Sequence, residues 1–255
     1  MRITFLGTGT SGGVPMINCN CAVCTSANPK NKRLRSSVMV EVNDTILLID
    51  TSTDLRQQLL RQPFPRIDAI LYTHAHADHI FGLDEIRRFN YLMQKRLPAY
   101  AHPKTMERLL KIFDYAFAEP HVPVVKGVPN LAPFVIEGPF EINGISVVPI
   151  PLQHGSQEIY GYRIGNFAYC TDVNRIPAES YSLLDNLEIL VLDALREKRH
   201  PSHFSLGEAV SEARKIGAKR TYFTHISHIL DHERHGSRLP KQMAFAYDGL
   251  VLECD

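Results

Sequence analysis

The segment Leu71-Tyr72-Thr73-His74-Ala75-His76-Ala77-Asp78-His79 places three imidazoles and one carboxylate within six residues. These side chains bind zinc, iron or manganese at neutral pH. His74 and His76 are two residues apart and project the same way from an extended backbone. Asp78 and His79 follow once the chain has turned, which lets them approach a second ion. Ahead of them, Ile67-Asp68-Ala69-Ile70-Leu71 reads as the end of a buried strand, and Ile80-Phe81-Gly82-Leu83-Asp84-Glu85-Ile86 opens a helix behind them. The donors therefore sit where a strand gives way to a helix. The competing reading is a solvated polar loop, which leaves four ligand-type side chains crowded into an apolar setting without a reason.

A second donor cluster, Cys19-x-Cys21-x-x-Cys24, brings three thiols within six residues. Thiolates in that number select a soft metal, zinc above all, and need a fourth ligand that His225-Ile226-Ser227-His228 can supply. Such a clip would fasten the N-terminal loop to the distal chain and add folding energy. Three free cysteines on a loop is the alternative. Other candidates stand at strand ends and in loops. His154 follows the apolar run 145–150, as His74 follows its own strand. Asp172 comes after Phe167-Ala168-Tyr169-Cys170, where a helix-capping role competes, and Asp193 ends the run 187–192. His200 and His203 share a polar loop, with His203 the stronger candidate and a surface histidine the alternative. Asp50 closes another strand and reads as orienting a metal-binding histidine rather than as a ligand.

The chain offers mainly short strands to position these groups. Residues 3–6 form an apolar strand running into Gly7-Thr8-Gly9-Thr10-Ser11-Gly12-Gly13-Val14-Pro15. That turn lacks a Walker lysine and a dinucleotide spacing, and reads as a tight loop whose backbone approaches the metal site. Hairpins are expected around Asn43-Asp44 and Asn143-Gly144, a strand pair at 160–164 with 167–170, and a terminal hairpin over 245–253. Helices are expected over 54–61, capped by Ser52 or Thr53, over 84–95, over 103–115 and over 206–216, the last closed by Gly217. His102 precedes the third as a capping or packing residue. Residues 117–134, with His121, read as irregular. Residues 28–35, with Lys30, Lys32, Arg33 and Arg35, read as a solvated basic loop, a weak phosphate-facing patch being the alternative. Two β-rich halves with helices outside fit a sandwich, and the antiparallel turns argue against a purely parallel sheet.

A chain of 255 residues suits one large domain or two small ones. Its 28 basic and 27 acidic residues leave a formal net charge of +1, so no global field points to nucleic acid or an anionic membrane. No signal-sequence pattern opens the chain, and no apolar run approaches membrane-spanning length. Five cysteines, odd in number and three of them crowded, fit a reduced cytoplasmic protein with a metal-binding trio better than a disulfide framework.

His-x-His-x-Asp-His after an apolar strand resembles the signature of the metallo-β-lactamase fold hydrolases. The start Gly-Thr-Gly-Thr-Ser-x-Gly-Val-Pro, followed by clustered cysteines, is similar to the cyclic phosphodiesterase branch of that family, which includes the phosphoribosyl 1,2-cyclic phosphate phosphodiesterase activity of phosphonate breakdown. The resemblance spans most of the chain. It implies an α+β fold, a four-layer αββα sandwich forming a single domain over 1–255, with up to two metals at one edge of the sheets. Matched residue by residue, His74, His76 and His154 would hold one metal, Asp78, His79 and His225 the other, and Asp172 would bridge them. Zinc and manganese both suit these ligands. A hydroxide between the ions would attack phosphorus. His203 resembles the family histidine that contacts the phosphate and protonates the leaving oxygen, so His203 and Asp78 are the catalytic candidates. Cys19, Cys21 and Cys24 would hold a structural zinc with His228, which matches the family position, although His232 and His235 lie close by in sequence. The resemblance further implies a homodimer acting on a small phosphodiester, a cyclic ribose phosphate first among them, without membrane or nucleic-acid partners. The 193–203 stretch departs from the phosphonate-pathway pattern, which leaves an allied substrate open. Three other uses of such a site compete: tRNA 3′ processing, which normally needs a long RNA-clamping arm not evident here; thiolester or lactam hydrolysis; and a non-catalytic metal-binding carrier.

Overall fold

Strands whose residues are all apolar must be covered on both faces, and this requirement shapes the chain. A computed structural model describes residues 1–117 and 127–254. In its first half the strands are β1 (Arg2–Gly7), β2 (Ser37–Val42), β3 (Thr45–Ile49), β4 (Ala69–Tyr72), β5 (Leu97–Ala101) and β6 (Leu131–Val135). Then come β7 (Phe140–Ile142), β8 (Ile145–His154), β9 (Gln157–Ile164), β10 (Phe167–Cys170), β11 (Ile189–Asp193), β12 (Arg220–Thr224), β13 (Met243–Phe245) and β14 (Val251–Glu253). The helices are α1 (Leu55–Arg61), α2 (Ala77–Ile80), α3 (Arg87–Met93), α4 (Pro103–Ile112), α5 (Leu206–Ile216) and α6 (His232–Gly236).

Among the described residues the strands form two mixed seven-stranded sheets, ordered β14-β1-β2-β3-β4-β5-β6 and β13-β12-β11-β10-β9-β8-β7. Period-two alternation sorts each central strand between two cores. In β3, Leu47 and Ile49 enter the core between the sheets, while Ile46 and Leu48 join the core beneath α1, α3 and α4. In β11, Ile189 and Val191 face the first sheet, and Leu190 and Leu192 pack with Ala209 and Ala213 of α5. Three apolar layers between helix, sheet, sheet and helix make the αββα sandwich. Each fully buried Leu or Ile contributes about 1.5–3 kcal/mol.

Several local expectations need correction. The C-terminal strands are not a hairpin. β13 pairs in parallel with β12 in the second sheet, whereas β14 pairs antiparallel with β1 in the first. The link crosses between sheets because Asp248 is tied down on the way: it accepts from the Thr8 hydroxyl at 2.8 Å and from the Leu34 amide at 2.7 Å. Residues 117–134 are not irregular throughout, since β6 extends the first sheet beside β5; His121 lies outside the described residues. Neither Ser52 nor Thr53 is the N-cap of α1. Asp54 is, and the Ser52 hydroxyl instead donates to Gln58 Oε1. Arg33 is buried, not solvated: it donates to the Thr8 hydroxyl, to the Ala246 carbonyl and to His232 Nδ1. Elsewhere His102 caps α4 through Nδ1, and a Ser205–Glu208 capping box opens α5, which Gly217 closes in the left-handed region.

Topology sets where the chain can do chemistry. β3 and β4 run in parallel, as do β10, β11 and β12, and β8 runs with β10 through the antiparallel β9 between them. The C-terminal ends of all these strands meet at one edge of the sandwich. Behind that edge, Gly82 follows α2 and packs its backbone against the 51–55 turn, donating to the Thr51 carbonyl at 3.0 Å. A Cβ at Gly82 would collide with the Ser52 carbonyl oxygen and press on Leu55 Cβ. Gly82→Ala is expected to destabilise the protein by about 1–3 kcal/mol, seen as a lower urea midpoint at unchanged slope.

Candidate metal centre

Each candidate donor stands at or just beyond a strand end. His74 and His76 follow β4, and α2 starts inside the motif so that Asp78 and His79 lie on its single turn. His154 is the last residue of β8, Asp172 lies two residues past β10, Asp193 ends β11, and His225 immediately follows β12. Three site residues adopt left-handed backbone: Asp50 (φ 62°), Asp172 (φ 57°) and His225 (φ 57°). Side chains other than glycine avoid that region, and strain of this kind concentrates at functional sites. In each case the turn lets a side chain leave the strand direction and point across the sheet edge.

Two donor groups result. His74, His76, His154 and Asp172 form one, and Asp78, His79, Asp172 and His225 form the other, with one ligand atom from each residue lying within 4.8 Å of the rest of its group. Asp172 belongs to both. Its Oδ1 is 3.3 Å from His79 Nε2, while Oδ2 is 3.3 Å from His225 Nε2 and 3.7 Å from His74 Nε2. Asp78 Oδ2 lies 3.3 Å from His79 Nε2 and 3.5 Å from His225 Nε2. These are distances between ligands around a shared centre rather than good hydrogen bonds. The Nε2 atoms of His74, His79 and His225 and Oδ2 of Asp78 are buried and have no hydrogen-bond partner. Orphaned polar atoms in that number are costly unless something positive completes them.

The far sides of three of the rings are accounted for. His79 Nδ1 donates to Asp50 Oδ2 at 2.7 Å. His74 Nδ1 donates to the Thr73 hydroxyl at 3.1 Å, which donates in turn to Asp50 Oδ2 at 2.7 Å. His154 Nδ1 donates to the Ser202 carbonyl at 2.7 Å. With Nδ1 protonated in all three, the Nε2 lone pairs face the centre, as metal-binding imidazoles require. Asp50 therefore has the orienting role expected of it. Electrostatics agree for His74 and His154. Burial holds His154 down, to about 4, and His74 well below its ordinary value, keeping both rings neutral. Burial would also lower His79, but Asp172, Asp78 and Asp50 raise it well above the usual range. Asp172 and Asp78, despite burial, are held low by the neighbouring histidines and stay ionised.

His203 and Asp193 stand beside this centre. His203 Nδ1 donates to Asp193 Oδ2 at 2.8 Å, and its ring stacks on His225 with centroids 4.7 Å apart and planes at 12°. The other Asp193 oxygen lies 3.8 Å from His225 Nδ1. This buried carboxylate thus positions His203, while its other oxygen and His225 Nδ1 are buried without a hydrogen-bond partner. His200 reaches the Ser202 hydroxyl and stacks on His203 but joins neither donor group.

The cysteine cluster is separate. Cys19, Cys21, Cys24 and His228 bring their ligand atoms within 4.8 Å of one another. His228 Nδ1 is 3.3 Å from Cys19 Sγ and 3.4 Å from Cys21 Sγ. The Cys24 amide donates to Cys21 Sγ, and that bond above all lowers the Cys21 thiol to about 6, whereas burial pushes Cys24 up to about 11. His232 is turned away: its Nδ1 accepts from Arg33 Nη2 at 3.1 Å. His235 is engaged by Asp231 and Glu197. The glycine-rich loop reaches the main centre through its backbone, with the Thr10 amide donating to the carbonyl of Ile226, next to His225.

Sequence reading overlooked Lys104, Thr105 and Arg108. All three line a cavity of about 580 Å³ that His74 and His76 also line. Nothing in their spacing marks them off from an ordinary helix start; only the packing of α4 beside the strand ends does so.

Known proteins are similar to this chain in sequence and fold. The model of the beta-lactamase superfamily domain matches residues 45–226. A protein of Porphyromonas gingivalis named octanoyltransferase is 35% identical over 262 aligned residues, covering all of this chain and 52% of that protein. The chain thus spans about half the length of that relative. Coenzyme PQQ synthesis protein B of Methylobacterium radiotolerans is 39% identical over 101 residues, about a third of either chain. Among solved structures, one described as a new diphosphatase from the PhnP family is 46% identical, with a TM-score of 0.92, covering 100% of this chain and 98% of the other. Zinc-bound PqqB from Methylobacterium extorquens, 22% identical with a TM-score of 0.80 and full coverage of both chains, shares the fold. A sandwich of two mixed sheets, donors converging at the strand ends, and a family match across most of the chain lead to one conclusion: this protein belongs to the beta-lactamase superfamily and has the metallo-β-lactamase fold.

Proposed function

We propose that this protein is a dinuclear metal-dependent phosphodiesterase that hydrolyses a small phosphodiester, a cyclic ribose phosphate first among candidates. The observation that carries the reading is the division of Asp172 between two histidine groups, with three imidazole Nε2 atoms left buried and unpaired around it. His74, His76 and His154 would hold one ion, Asp78, His79 and His225 the other, with Asp172 shared, and zinc or manganese suits both positions. When bound, two such cations acidify water and neutralise charge on phosphoryl oxygens. The 46% identical relative described as a diphosphatase of the PhnP family supports phosphorus chemistry over thiolester or lactam hydrolysis. A cavity of about 580 Å³ at the centre is of small-molecule size, which favours a small diester over a tRNA end.

Within this reading the chain's own groups divide the work. His203, its Nδ1 proton held by Asp193, gives the Nε2 proton of its imidazolium form to the leaving oxygen. Asp78 would serve as a ligand of one ion. Asp50 fixes the His79 ring and, through Thr73, the His74 ring. Cys19, Cys21, Cys24 and His228 would hold a structural zinc that clips the N-terminal loop to the 225–235 region, so that 1–255 works as one domain. Free thiols agree with a reducing, cytoplasmic setting. A homodimer belongs to the same proposal. Among the described residues no helix is long and apolar enough to cross a membrane.

The direct test is turnover of bis-p-nitrophenyl phosphate and of ribose cyclic phosphates by protein of measured metal content. Diester hydrolysis that chelation abolishes and zinc or manganese restores is the expected result. Hydrolysis of thiolesters alone, or of nothing, would overturn it; the latter outcome would favour a carrier. His203→Ala is expected to lower kcat by roughly 10²–10⁴-fold at unchanged metal content, and loss of metal would place His203 among the ligands instead. Asp50→Asn should weaken metal affinity by about 10–100-fold, measured by competition with a chromophoric chelator.

A further inference from the structure

Arg33, 2% exposed, is the largest of the fully buried side chains among the described residues. Its guanidinium joins two segments that flank the end of β12. Nη1 donates to the Thr8 hydroxyl at 2.7 Å and to the Ala246 carbonyl at 2.6 Å. Nη2 donates to His232 Nδ1 at 3.1 Å, which fixes the plane of the fork. Thr8 and Ala246 in turn hold the backbone on either side of His225. The Thr8 carbonyl accepts from the Ile226 amide at 2.9 Å, and the Ala246 amide donates to the Phe223 carbonyl at 2.8 Å. His225 lies between those two bonds with φ at 57°, a left-handed backbone that a histidine keeps only where its surroundings over-determine it. Stability alone is a poor reason for the arginine. Its Nε is buried without a hydrogen-bond partner, and no carboxylate lies within ion-pair distance of it among the described residues. Burial lowers the guanidinium to about 10, Asp248 and Asp231 opposing the shift, so it stays charged at neutral pH. An apolar side chain of like volume often serves a core better than a cation so incompletely paired.

We propose that Arg33 is a positioning residue for His225. By joining Thr8 to Ala246 it holds the left-handed turn from which the His225 ring enters the group of Asp78, His79 and Asp172. The other group stands on the ends of β4 and β8, where Thr73 and the Ser202 carbonyl hold the His74 and His154 rings, and Arg33 bonds to neither. Loss of the guanidinium therefore acts on one group of donors and spares the other. For the ion held by that group the assignment rests on the dinuclear reading above; the placement of the backbone does not depend on it.

The test compares wild type with Arg33→Met, Thr8→Val and Thr8→Ser. Thr8→Val cuts the link while leaving the guanidinium in place, and Thr8→Ser keeps the hydroxyl. Competition of the metal-loaded proteins with a chromophoric chelator reads the affinity for each ion of the main centre. In Arg33→Met and Thr8→Val one ion is expected to be held about tenfold more weakly and the other as in wild type, whereas Thr8→Ser should match the wild type for both. Amide exchange at Ile226, followed by NMR, should quicken in the same two variants and stay at the wild-type rate in Thr8→Ser. Equal weakening of both ions, or of neither, overturns the assignment and leaves the dinuclear reading intact. If the wild type holds fewer than two ions at this centre and Ile226 still exchanges faster in Thr8→Val and Arg33→Met, the positioning role stands and the dinuclear reading fails. Unchanged exchange at Ile226 in both variants overturns the role whatever the metal content.

Discussion

A carboxylate buried among imidazoles whose lone pairs have nothing to bind is the constraint on which the structure turns. Asp172 is 2% exposed, sits on left-handed backbone, and faces His79 with one oxygen and His74 and His225 with the other. Taking such groups out of water is expensive, and opposite charges in low dielectric repay the cost only when the geometry is close and further bonds satisfy the remaining atoms. Much of the molecule serves those conditions. Asp50 and Ser202 engage the outer nitrogens of His79 and His154, Thr73 engages that of His74, and Asp193 stands beside His225 and His203. The polar groups left over face one shared centre, which is why bound metal is the natural complement.

The sandwich makes this affordable because it segregates polarity. Between the sheets the core is almost wholly aliphatic and aromatic, with residues such as Phe5, Val38, Leu47, Phe167 and Val191 fully buried. Most of the buried charge gathers at the edge where the parallel strands end, Asp68 just before β4 being an exception. That edge is also where backbone direction is free to change, so a residue one or two places past a strand can aim across the gap between sheets. The price is strained backbone at Asp50, Asp172 and His225, held in place by the strands on either side.

Segments from the first and last parts of the chain meet beside the same edge. β1 and β14 pair in the first sheet, Asp248 accepts from Thr8 and Leu34, and buried Arg33 joins Thr8 to Ala246 and His232. Asn31 donates to Asp231 at 2.7 Å and accepts from the His232 amide at 2.8 Å. The thiols of Cys19 and Cys21 lie against His228 in that same region. These contacts hold Ile226 against the glycine-rich loop, and with it the neighbouring His225. A polar N-terminal segment thereby supports a residue of the main centre more than 200 positions away.

Much of this was legible in the residues. The metal-binding character of 74–79, the two antiparallel hairpins, α5 with its Gly217 stop and the donor types at each strand end follow from side-chain chemistry and local periodicity, which act within a few residues. The resemblance supplied the pairing of donors into two groups, which spacing could not. What lay beyond sequence depended on contacts between distant segments. The link from β13 to β14 reads locally as a hairpin turn, but Thr8 and Leu34 capture Asp248 and send the chain to the other sheet. Arg33 reads as one of several solvated cations until the folded chain surrounds it with Thr8, Ala246 and His232. His228 and His232 both lie near enough in sequence to serve the thiols; the resemblance favours His228, and the bond from Arg33 to His232 Nδ1 turns His232 away. Sequence by itself determined which atoms could bind metal, because ligand chemistry belongs to the side chain. Tertiary structure alone decided which of them meet, because convergence at a sheet edge is a property of strand order and direction, to which local periodicity is blind.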